Sequence, residues 1–106
     1  MSDRQRLPNR RQHETIEFEL EGMAIVAGIG RFADGRLAEV FFHSAGKPGS
    51  TGERFAADAA VLVSLALQRG ATVSEIRHSL VKLHDGSGAG PVGRLLDLIE
   101  GDFDED

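Results

Sequence analysis

The apolar residues of this chain change their spacing once, near Glu53, and that change constrains the fold more than any other feature. Before it, Thr15–Glu21, TIEFELE, alternates without a fault, with Ile16, Phe18 and Leu20 opposed to Glu17, Glu19 and Glu21. Successive strand side chains point to opposite faces, so this segment reads as a strand with one wet face. Glu21-Gly22 reads as a tight turn. MAIVAGIGRF follows, apolar on both faces, and the small residues Ala24, Gly28 and Gly30 on one of them predict that something packs closely there. Asp34-Gly35 signals a hairpin, on the expectation that both residues take up positive φ. RLAEVFFH, Arg36–His43, is then a third strand, and two short turns make the three an antiparallel meander.

After Glu53 the spacing is helical. Phe55, Ala59, Leu62, Val63, Ala66 and Leu67 form a broad apolar stripe, which predicts a central helix laid across the sheet, and Gly70 is placed to end it. Thr72-Val-Ser-Glu75 has capping-box spacing and starts a second helix whose Ile76, Leu80 and Leu83 share a face. Asp85–Pro91, DGSGAGP, is loop. Pro91 opens a last helix in which Val92, Leu95, Leu96 and Ile99 fall at i, i+3, i+4 and i+7. The predicted fold is α+β, a three-stranded meander followed by three helices packed on one face, in the order βββααα.

At 106 residues this is a single domain. The chain has no Cys, which removes disulfides, thiolate metal sites, Cys nucleophiles and thiol redox chemistry together and points to a cytoplasmic setting. No run reaches transmembrane length, and the start lacks the apolar stretch of a signal peptide. The net charge of −5 is unevenly spread: Arg4, Arg6, Arg10 and Arg11 crowd the start, and the end is EGDFDED. Residues 1–13 are therefore expected to be a flexible basic arm, 14–100 the domain, and 101–106 an acidic tail.

SAGKPGSTGERF, Ser44–Phe55, joins the third strand to the first helix and invites comparison with a phosphate-binding loop. The comparison fails as a P-loop: Gly46-Lys47 is followed by Pro48, the position five before Gly46 is Phe41, and the strand belongs to an antiparallel meander. A weaker claim survives, that Lys47, Gly49, Ser50, Thr51 and Arg54 hold an anion or nucleotide at the helix N-terminus. The competing reading is that Ser50 or Thr51 only caps the helix. Gly28-Ile-Gly30 lacks the third glycine and the helix of a dinucleotide fingerprint, and Gly86–Arg94 is a lone Gly-rich loop. His13, His43, His78 and His84 show no metal-ligand spacing, so neither a metal nor a cofactor is expected. His43, at the strand end beside the Gly-Lys loop with Glu39 and Asp58 nearby, is the one acid–base candidate.

Several segments, in order, resemble one family: the C-terminal accessory region of adenosylcobalamin (vitamin B12)-dependent class II ribonucleotide reductases and the related TSCPD domain. RLPNRR, Arg6–Arg11, is similar to its Leu-Pro-x-x-Arg lead-in; DGRLAEVFFHSAGKPGST to its Asp-Gly, Glu-hydrophobic-Phe and Gly-Ser pattern; VSLALQRGATVSEI, Val63–Ile76, to its Ser-Leu-Ala-Leu-Gln-x-Gly stretch; and GRLLDLIEG to its last helix. The likeness runs from about Arg6 to Glu100. The chain departs from the family in lacking the Cys-containing signature and the cobalamin barrel, so no redox shuttle role carries over.

The resemblance implies a Cys-less copy of an accessory domain, a non-catalytic binding or regulatory module. Its partner would be a protein, a reductase among them, or a nucleotide or nucleic acid met by Arg6, Arg10 and Arg11. The negative net charge and the core-like positions of most Phe residues speak against nucleic acid for the body of the domain. Two alternatives stand beside this: a small enzyme acting on a phosphorylated substrate with His43 as acid–base, and a structural subunit that oligomerises through the uncovered sheet face.

Overall fold

The structure, a computed structural model, describes the backbone of residues 13–104 and the side chains of residues 13–100, so Arg6, Arg10 and Arg11 lie outside the described residues. Its elements are β1 (His13–Leu20), β2 (Met23–Arg31), β3 (Leu37–Ala45), α1 (Thr51–Gln68), α2 (Val73–Ser79) and α3 (Pro91–Asp104). The strands pair antiparallel in sequence order, β1-β2-β3. This is the α+β, βββααα fold that the spacing predicts.

The alternation of β1 is realised directly. Ile16 and Phe18 pack against the core and Leu20 is buried, while Glu17 and Glu19 are exposed. In β2, Ala27 and Ile29 lie in the core, and Gly28 and Gly30 turn to the opposite face. What fills the space above those glycines is not another element but two side chains from β3. The Phe41 ring lies over Gly28, where a Cβ would come within 2.4 Å of it, and the Glu39 carboxylate lies over Gly30, where a Cβ would come within 2.7 Å of it.

The first hairpin closes on Glu21 (φ 50) and Gly22 (φ 84), the double positive-φ pattern of a type I′ turn. The second differs from expectation. Gly35 alone takes positive φ (94), in a three-residue loop closed by Phe32 N–H to the Arg36 carbonyl (2.8 Å) and Gly35 N–H to the Phe32 carbonyl (2.9 Å). Asp34 contributes by hydrogen bonding instead: its carboxylate accepts from the Arg36 backbone N–H (3.1 Å) and guanidinium (2.8 Å).

Helix α1 corrects the predicted stripe. Its buried face is Ala56, Ala60, Val63 and Leu67 with Gln68, whereas Phe55 and Leu62 are 68% and 67% exposed. The reason lies in where the helix runs. It follows β3 and finishes that strand's outer edge: the Ser64 hydroxyl accepts from Val40 N–H (2.9 Å) and donates to the Val40 carbonyl (3.0 Å), and the Gln68 amide donates to the Ala38 carbonyl (3.1 Å). A helix this close to strand backbone needs alanine rather than leucine between them.

Helix α3 follows its pattern, with Val92, Leu95, Leu96 and Ile99 all buried against Ala27, Ile29, Val63 and Leu67. Helix α2 is shorter than predicted and ends at Ser79, so Leu83 is not on it. The chain turns instead into a small hairpin, with Ala89 N–H on the Val81 carbonyl (2.9 Å) and Leu83 N–H on the Ser87 carbonyl (2.8 Å). Its Gly88 meets the backbone of Gly93 so closely that a Cβ would fall 2.3 Å from the Gly93 carbonyl carbon. The Gly-rich loop is thus a packing device against α3. No described helix is long and apolar enough to cross a membrane.

Candidate functional site

The loop before α1 is the first place to test, since a free helix N-terminus attracts anions. Ser50 is the N-cap, and its hydroxyl accepts from Glu53 N–H at 3.1 Å. The Glu53 carboxylate reaches back to accept from Gly49 N–H at 2.8 Å. The Arg54 guanidinium folds onto the Gly49 carbonyl (2.9 Å) and reaches the Thr51 hydroxyl (3.4 Å). Glu53 therefore already supplies a negative charge to this helix start, as a capping carboxylate does. Of the five residues singled out here, Gly49, Ser50, Thr51 and Arg54 form one bonded network; the Lys47 side chain is exposed and its carbonyl accepts from Ser50 N–H (3.1 Å).

Immediately after this loop, the chain presents apolar groups to solvent. Phe55, Leu62 and Val81 (74% exposed) border two adjoining depressions of about 290 and 360 Å³, with Leu80 common to both. The first is also lined by Gly52, Ala59 and Pro91, the second by Ala66 and Ile76. Together they make a shallow trough between α1 and the α2–hairpin segment. The charged loop ending at Arg54 adjoins one end of it through Gly52 and Phe55. Its lining is apolar or small apart from Glu75 and Ser79.

The outer sheet face carries the acid–base candidate. His43 is exposed, its ring T-shaped to Phe41 at 5.1 Å, and the His13 ring is T-shaped to the same Phe41 at 5.9 Å. Glu39 lies 3.4 Å from His13 Nε2, and Asp58 is exposed on α1. The structure therefore places Glu39 with His13 rather than assembling a group around His43. Among the described residues no three His, Asp or Glu side chains gather as a metal site would require.

The other polar cluster is architectural. Asp97 accepts from Arg77 (3.0 Å) with one oxygen and from Gly88 N–H (2.7 Å) with the other, tying α2, the hairpin and α3 together. Asp85 in the hairpin is held below its ordinary 3.8 by the Ser87 hydroxyl and then by the Ser87 N–H. Asp34 is lowered in the same sense, by Arg36 N–H first and its guanidinium second. Both carboxylates are surface turn elements.

Sequence reasoning overlooked Ser64, Gln68 and Asp97 as structural polar groups, and it read Phe55 and Leu62 as core. The signal for the first pair was present: two uncharged polar residues at i and i+4 inside an apolar run.

Comparison with known proteins follows the same outline. A family model described as the TSCPD domain matches residues 3–100. The chain is 34% identical over 73 residues to a vitamin B12-dependent ribonucleotide reductase of Agrobacterium fabrum (strain C58 / ATCC 33970), a stretch that is 69% of this chain and 6% of the relative. The chain thus spans a small fraction of the curated relative it matches. No solved structure matches it significantly.

Proposed function

Because this chain belongs to the TSCPD domain family, we propose that it is a non-catalytic binding or regulatory module whose partner is a protein, in the first instance a ribonucleotide reductase polypeptide. The single observation that carries this reading is the apolar trough, with Phe55, Leu62 and Val81 largely exposed around it. Aromatic and aliphatic groups left in water beside a charged loop contribute little to the monomer and a great deal to a complex. The reductase is chosen as partner because the sequence-similar relative carries the matching stretch as one part of a much longer reductase chain. Domain limits of 14–100, with the arm bearing Arg6, Arg10 and Arg11 before it and an acidic tail after it, and a cytoplasmic setting accord with this role.

Lys47, Gly49, Ser50, Thr51 and Arg54, in the loop that adjoins the trough at Gly52 and Phe55, serve this surface as polar contacts. A nucleotide or other anion at the same loop is the lesser option, since the Glu53 carboxylate would have to leave Gly49 N–H first. An enzymatic role through His43 finds less support, because that ring stands on the outer sheet face against Phe41.

The test is calorimetry against a purified vitamin B12-dependent reductase chain, with a nucleoside triphosphate and a single-stranded oligonucleotide as further titrants. Binding to the reductase lost in Phe55→Asp or Leu62→Asp, and weakened about threefold to tenfold in Arg54→Ala or Lys47→Ala, is the expected result. Heat with the nucleotide but none with the reductase would overturn the choice of a protein partner.

A further inference from the structure

The two edges of the sheet are finished differently. On β3, backbone groups that face away from β2 are taken up by Ser64 and Gln68 of α1. On β1 no described group does this. The Glu21-Gly22 turn makes Leu20 and Met23 the hydrogen-bonded pair that closes the hairpin, so Phe18, Ile16 and Glu14 also bond to β2. The N–H and C=O groups of His13, Thr15, Glu17 and Glu19 therefore point outward. They lie along eight residues that contain no proline and pair with β2 without a bulge. An unbulged edge of that length is a template for another strand.

We propose that β1 pairs antiparallel with β1 of a second copy of this chain, across a two-fold axis at Ile16, so that two three-stranded sheets become one continuous sheet. The side-chain pattern selects both occupant and register. A slip by one residue would exchange the wet face with the core face, so His13, Thr15, Glu17 and Glu19 must stand opposite the same set. An axis at Glu17 sets that glutamate against its own copy, and an axis at Phe18 sets Glu17 opposite Glu19. Like charges directly opposite destabilise a pair of strands. An axis at Thr15 shortens the paired segment. With the axis at Ile16, His13 faces Glu19 and Thr15 faces Glu17, and no two glutamates are directly opposite. On the core face the half-buried Ile16 meets its copy, which carries the apolar layer across the axis. Both sets of helices lie on the same side of the joined sheet.

The full chain is tested by sedimentation velocity over a concentration series, where a dimer is expected. Thr15→Pro removes an outward N–H that makes no bond to β2, and it should weaken dimerisation about tenfold or more with the circular dichroism unchanged. The protein has no cysteine, so Ile16→Cys should cross-link two copies under mild oxidation. A non-hydrogen-bonded antiparallel pair holds its Cα atoms about 4.5 Å apart, within the reach of a disulfide. Glu17→Cys should not cross-link, and exchange of the Thr15 and Glu17 amides should slow as the dimer forms. A monomer at every concentration overturns the proposal. So does a dimer that survives Thr15→Pro with a native fold, or one that cross-links through Glu17→Cys instead of Ile16→Cys. Should Thr15→Pro fail to fold, fast exchange at Thr15 and Glu17 in the wild-type dimer is the deciding result against it. Protection of those amides only on adding a reductase chain would assign the edge to that partner and equally overturn self-pairing.

Discussion

Helix α1 has two faces that divide its residues in an unusual way. The face against the sheet carries Ala56, Ala60, Ser64 and Gln68 beside Val63 and Leu67, while the face toward the hairpin carries Phe55 and Leu62, mostly in water. Size and hydrophobicity therefore do not rank these positions by burial. Proximity does. The side chains closest to β3 must be small or must hydrogen-bond, because what they touch is strand backbone, and Gln68 is buried to 3% exposure with its amide on the Ala38 carbonyl. The larger groups are left for a surface that a single folded chain does not cover.

The comparison breaks if the inner face tolerates bulk. Ala60→Leu should destabilise by about 1–3 kcal/mol through overpacking, measured by urea unfolding. An unchanged midpoint would mean that α1 stands off the strand. Ser64→Ala leaves Val40 N–H and C=O without their partner, at an expected cost of about 1–2 kcal/mol, and it should speed amide exchange at Val40. On the outer face, Phe55→Ser and Leu62→Ser should each shift stability by no more than about 0.5 kcal/mol while removing partner binding. A large loss of stability there would return those residues to the core.

The smallest effect concerns acid. Asp34 and Asp85 have lowered pKa values in the folded chain, so the stability they contribute is present above their ordinary 3.8 and is lost as pH falls through the lower folded values. A slight fall of the thermal midpoint on acidification below 3.8, reduced in Asp34→Asn, is the expected outcome.

Much of the fold was legible because it rests on short-range rules. The strict alternation of Thr15–Glu21, the turn at Glu21-Gly22, the Thr72/Glu75 capping box and the spacing of Val92, Leu95, Leu96 and Ile99 each reappear as read. One failure was local, the Asp34-Gly35 turn in which Gly35 alone takes positive φ; the others were non-local. The inner face of α1 depends on β3 passing beside it. The early end of α2 depends on Val81–Ala89 closing a hairpin of its own. The glycines of DGSGAGP serve a backbone contact with Gly93 that no local pattern announces. For the site, Ser50 as helix cap could be read from the sequence, but the carboxylate of Glu53 on Gly49 N–H and the trough beyond it required the fold.

The seal that Ser64 and Gln68 place along β3 also limits how many molecules can join. A sheet with two bare margins can accept a neighbour on each and lengthen into a ribbon, whereas this one has a single margin to offer. Its valence along the hydrogen-bonding direction is one, so any strand added at β1 ends the series. Removing both side chains would strip partners from Val40 and the Ala38 carbonyl while α1 still lay over that margin, so the symptom would be lost stability and not a longer series.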